Sequence, residues 1–84
     1  MQVRVKLFAS LSHLLPDGAK PHEGIVLDLP EATTPQALIE QLRIPEGMAH
    51  LVLRNGAFIP VSARSQPVLV DGDVFAVWPP VAGG

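Results

Sequence analysis

The sequence contains no cysteine. A disulfide framework, a thiolate metal site and a cysteine nucleophile within the chain are therefore excluded, and the usage fits a reducing compartment. Charge is also scarce. Asp, Glu, Lys and Arg make up 17% of the 84 residues, against about 25% in an average globular domain. A small domain this poor in charge exposes apolar surface, which usually means a partner. Basic residues are not in excess: 6 stand against 8 acidic ones, for a net charge of −2. That leaves no electrostatic footprint for nucleic acid. Long apolar runs are missing. The longest stretch without a charged side chain, residues 74–84, contains Pro79 and Pro80, whereas a membrane-spanning helix needs about 20 apolar residues. Arg4 and Lys6 alternate with Val3, Val5 and Leu7, which is strand periodicity and not a secretory leader. His13, His22 and His50 lack metal-ligand spacing. Ser10, Ser12 and His13 have no orienting acid and no nucleophile elbow nearby. The expectation is a cytoplasmic chain with no nucleic-acid or membrane partner, no metal and no catalytic residues of its own.

Apolar residues are 48% of the chain, enough for one small core and one domain. Residues 3–7 alternate apolar and charged, so the first strand buries one face. Residues 10–15 read as a short helix stopped by Pro16-Asp17-Gly18. Ile25, Leu27 and Leu29 mark a second strand ending at Pro30. Thr34 before Pro35 predicts a capped helix start, with Thr33 and Gln36 as an alternative capping box. Leu38 and Leu42 share one helix face, Arg43 suits the C-terminal dipole, and Pro45-Glu46-Gly47 ends the helix. Asn55-Gly56 between apolar runs predicts a hairpin. Residues 67–70 lead into Asp71-Gly72-Asp73, which reads as a turn and not a cation site. Residues 74–78 are apolar throughout, as in a central strand covered on both faces. A mixed sheet with one helix on one face is the economical arrangement.

The last six residues, Pro79-Pro80-Val81-Ala82-Gly83-Gly84, carry the functional reading. Two prolines stop the strand and stiffen the lead-out. At about 3.1 Å per residue, the tail reaches roughly 18 Å beyond the body. Side-chain bulk then vanishes at Gly83 and Gly84, so a terminal carboxylate can thread a narrow channel where any Cβ would obstruct. A carboxylate is a poor electrophile until activated, typically by adenylation. No residue in the chain looks able to do this, so a separate ATP-using enzyme is expected. Alternation places Val74, Ala76 and Trp78 on one strand face and Phe75 and Val77 on the other. Phe8, Phe75 and Trp78 read equally as core or as partner surface.

The run Leu69-Val70-Asp71-Gly72-Asp73, followed by Ala76-Val77-Trp78-Pro79-Pro80-Val81-Ala82-Gly83-Gly84, resembles the ubiquitin-like sulfur carriers of the MoaD/ThiS family. Pro-Pro-Val points to the molybdopterin branch. Phe8-Ala9, Ala37-Leu38 and Asn55-Gly56 agree more weakly. The chain departs from the family at Ser12-His13, where an Arg-Glu pair is common, and at Val74, where a polar residue is usual. The resemblance implies an α+β, β-grasp fold, with a body over residues 1–78 and an extended tail over residues 79–84. It implies that a MoeB-like or ThiF-like enzyme adenylates Gly84 with ATP, and that a sulfur donor converts it to a thiocarboxylate. No cofactor is then bound by the chain itself. It further implies a small subunit of molybdopterin synthase, whose tail enters a MoaE-like large subunit that supplies the catalytic residues. Two small and two large subunits would make the dithiolene of molybdopterin from cyclic pyranopterin monophosphate. The expected site is Gly84 with Gly83. The expected partner-binding residues are Phe8, Phe75, Val77, Trp78, Pro79, Pro80, Val81 and Ala82. Related carriers serve thiamine, cysteine, tRNA thiolation and tungsten cofactor routes. A protein modifier joined through Gly84 to lysines, or a binding module with an inert tail, are the other readings.

Overall fold

The computed structural model describes residues 1–80. Strands β1 (Gln2–Leu7), β2 (Ile25–Asp28), β3 (Leu51–Arg54), β4 (Ala57–Phe58) and β5 (Val74–Trp78) form one sheet in the order β2-β1-β5-β3-β4. The two central strands, β1 and β5, run parallel; the other pairs are antiparallel. Helix α1 (Pro35–Gln41) lies between β2 and β3 in the chain, and short 3₁₀ helices occupy Ala9–Leu14 and Val61–Ala63. This is the β-grasp arrangement that the resemblance implies.

One face of the sheet builds the core. Val3, Val5 and Leu7 of β1, Val52 of β3 and Phe75 and Val77 of β5 are all fully buried, and Leu38 and Ile39 of α1 join them. Each such side chain is worth about 1.5–3 kcal/mol when fully removed from water. The burial of Phe75 and Val77 corrects the expectation that they contribute partner surface. Their strand parity turns them toward the helix, and a partner could reach them only by opening the core. Nor is β5 covered on both faces. Val74 and Ala76 are half-buried and Trp78 is exposed, so the apolar run is central in the sheet but lined by solvent on one side.

Local signals decide the elements. The Thr34 hydroxyl accepts the Ala37 amide at 3.1 Å and Pro35 occupies the first turn. The alternative box is not used, because the Thr33 hydroxyl donates to the Pro30 carbonyl at 2.7 Å instead. The helix stops before Pro45: Leu42 is its C-cap and Arg43 takes φ of 60°. Asn55 and Gly56 have φ of 49° and 83°, as a two-residue hairpin turn requires. Residues 67–70 form no strand. Leu69 is nevertheless buried, and Val70 donates its N–H to Asp73 at 2.8 Å. Among the described residues, no helix is long and apolar enough to cross a membrane.

Candidate functional site

The candidate site is the place where the chain leaves the sheet. The end of β5 is gripped from both sides: Phe8 donates its N–H to the Val77 carbonyl at 3.2 Å, and His50 donates to the Trp78 carbonyl at 3.1 Å. Pro79 has no N–H to continue either ladder. Pro79 is still buried in the body, whereas Pro80 is exposed, so the departure point is sharply defined. Val81 and Ala82, expected to bind a partner, and Gly83 and Gly84, the expected site of the chemistry, lie outside the described residues.

Beside this root, the rings of Phe8 and Trp78 stack with centroids 4.2 Å apart and planes inclined by 5°. Phe8 immediately follows β1, and parallel pairing of Leu7 with Val77 brings it alongside Trp78. Trp78 remains 40% exposed and Leu51, its partner across β3, 38%. The sheet face around them is largely apolar. Lys6, Ala76, Leu53 and Phe58 form one cross-strand row, and Val26, Arg4 and Val74 another. Phe58 and Val26 are about half exposed. The positive charges on this face are Arg4 and Lys6. Of the eight residues expected to bind a partner, the structure thus brings Phe8 and Trp78 together on the open face beside the exposed Pro80, and buries Phe75, Val77 and Pro79.

Among the described residues, no group of His, Asp or Glu is arranged to hold a metal ion. His13 faces the Ser10 carbonyl within its own 3₁₀ helix. Asp73, in the Asp71-Gly72-Asp73 turn, is saturated by protein donors. It accepts Arg54 Nε at 2.6 Å, Asn55 Nδ2 at 2.9 Å and the Val70 N–H at 2.8 Å. Burial alone would raise its pKa, but these hydrogen bonds and the Arg54 charge outweigh that and hold it below the ordinary carboxylate range. Asp71 accepts the Gln2 N–H at 2.6 Å. Both aspartates therefore tie the start of β5 to its neighbours, as a turn should.

Sequence reasoning missed Arg64. It is 7% exposed, and its guanidinium donates to the carbonyls of Ile59, Ala49 and His50. Burial lowers its pKa. These bonds fix the segment just before β3, from which His50 grips Trp78. A lone arginine in a polar loop gives no sequence signal for this role.

The family model for the ThiS family matches residues 5–84. No curated protein matches the chain. Solved structures do. The HVO 2177 protein of Haloferax volcanii is 25% identical at a TM-score of 0.75, with 100% of this chain and 87% of that chain covered. SAMP1 of Haloferax volcanii is 23% identical at a TM-score of 0.65, with both chains fully covered. A chain from the complex of subunits 1 and 2 of molybdopterin-converting factor of Helicobacter pylori 26695 is 23% identical at a TM-score of 0.60, again with both chains fully covered. With its five-stranded β-grasp sheet and a match over nearly its whole length, the chain belongs to the ThiS family of ubiquitin-like sulfur carriers.

Proposed function

We propose that the chain carries sulfur on Gly84 for molybdopterin biosynthesis, as the small subunit of molybdopterin synthase. The observation that carries this reading is the root itself. A strand end is held on both sides, it stops at Pro79-Pro80 beside an exposed aromatic stack, and it leads to Val81-Ala82-Gly83-Gly84. In this reading the body presents the tail and a docking face, and activation and transfer fall to partners. A Gly84 carboxylate oxygen attacks the α-phosphorus of ATP and pyrophosphate leaves. A hydrosulfide equivalent from a sulfur donor then attacks the acyl carbon and AMP leaves. The C–S bond replaces a C–O bond, and the thiocarboxylate is ready for transfer. A MoeB-like or ThiF-like enzyme would perform the first step, and a MoaE-like large subunit would receive the tail against Phe8, Trp78 and the neighbouring apolar row. The fold shared with one chain of a two-subunit molybdopterin-converting factor supports such a partner.

Incubation with ATP, a sulfur donor and the adenylating enzyme should produce a mass shift of one oxygen-to-sulfur exchange, mapped to Gly84. An unchanged mass with a competent enzyme would sink the reading. The fold shared with SAMP1 favours a second reading, in which Gly84 is joined to lysines of target proteins. Isopeptide adducts in cell extract would then appear in place of the thiocarboxylate. A thiocarboxylate that transfers to no pyranopterin but restores thiamine, cysteine, thiolated tRNA or tungsten cofactor synthesis would reassign the pathway.

A further inference from the structure

The helix-covered side of the molecule carries a groove of about 810 Å³, which reaches His50 beside the tail root and Phe58 at the sheet edge. That volume falls within the range of ordinary ligand pockets, about 300–1,000 Å³. Ile39 of α1 and Ile44 are its buried apolar base, and Val61, 74% exposed, stands at its side. Glu40 and Glu46 are the exposed charges along it. Arg64 lies beneath, but its guanidinium is buried and bonded to three backbone carbonyls. The groove thus combines an apolar base, rigidly held from below, with a negative rim.

We propose that this groove docks a basic, apolar segment of a partner protein. An aliphatic side chain would sit on Ile39 and Ile44, and flanking Lys or Arg side chains would pair with Glu40 and Glu46. Charge complementarity selects this occupant. The chain's own tail would bring a carboxylate against two carboxylates. Phe58, at the edge of the sheet, borders both this groove and the open face, while Phe8 and Trp78 stay uncovered in this arrangement. One protein can hold the carrier through the groove while another works on Gly84. The inference is independent of which chemistry Gly84 undergoes.

The test is an amide NMR titration of the full chain with two capped tetrapeptides, one of two leucines flanked by arginines and one of two leucines flanked by glutamates. The arginine peptide should give saturable shifts at Ile39, Ile44, Ala49 and His50, and the glutamate peptide none. Replacing both exposed carboxylates (E40Q with E46Q) should weaken binding about tenfold, and either one alone about threefold, as expected for two surface ion pairs. The inference is overturned by equal binding of the glutamate peptide, by indifference to both substitutions, or by shifts confined to the open sheet face. Groove shifts on removing residues 81–84 without peptide would make the occupant the chain's own tail. Concentration-dependent shifts without peptide would make it a second copy. Either result also overturns it. Thiocarboxylate formation should proceed normally in the substituted chain, so failure here is distinguishable from failure of the sulfur-carrier reading.

Discussion

At the scale of single residues, polar side chains do work that composition conceals. Asp73 is nearly buried, yet it joins the β3–β4 turn, the loop before β5 and Arg54 through one carboxylate. Replacing it (Asp73→Asn) should cost about 1–3 kcal/mol in urea unfolding, because partners of a charge-assisted acceptor lose it. The sign of its pH dependence follows from a depressed native pKa. Its contribution is fully present above the unfolded value of about 3.9 and is lost as pH falls through the lower native value. Stability measured from pH 5 downward should therefore fall less steeply in the asparagine variant than in the parent. Arg64→Met should also destabilise, by roughly 2–4 kcal/mol, since it leaves the carbonyls of Ala49, His50 and Ile59 without their donor. Thermal unfolding would show it. Neither role was legible in the sequence: a turn aspartate and a loop arginine look the same whether exposed or buried.

At the scale of elements, short-range chemistry was mostly legible. The Thr34 cap, the Asn55-Gly56 turn and the alternation in β1 are enforced by neighbours a few residues away, so the chain itself encodes them. The connection into β2 is different. Gly24 has φ of 65°, and a Cβ there would lie 2.0 Å from the Val5 carbonyl oxygen. Gly24→Ala should destabilise by at least about 2 kcal/mol, combining left-handed backbone strain with a backbone clash. Unfolding midpoints would measure this. Gly56→Ala, where nothing lies within 4 Å, should cost less. Residues 67–70 mark the limit of pattern reading. Apolar as they are, they form a loop and not a strand, with Leu69 as a core plug and the Val70 N–H on Asp73.

At the scale of the whole molecule, stability and sulfur loading should respond to different residues. Among the described residues the core is built from Val3 to Val77, and Gly83 and Gly84 carry no side chains, so removing them should leave the thermal midpoint within about 1 °C. It should abolish the oxygen-to-sulfur mass shift. The converse variant is Trp78→Ala. Losing the stack with Phe8 should cost about 0.5–1.5 kcal/mol of stability. If the proposed assembly holds, calorimetry against a MoaE-like large subunit should show binding about tenfold weaker or worse, because exposed aromatics at a docking face carry a large share of affinity. Weakened stability with unchanged affinity would remove the open face from the interface.

The sequence by itself determined the apolar alternation, the capped helix, the tight turns and the Pro-Pro-Val-Ala-Gly-Gly ending, and with them the family and fold. These depend on contacts within a few residues or on backbone chemistry that each residue type carries with it. Tertiary structure decided which way β5 faces. An all-apolar strand has no parity signal, so only its parallel pairing with β1 and antiparallel pairing with β3 could send Phe75 and Val77 into the core and leave Trp78 stacked on Phe8 at the root of the tail.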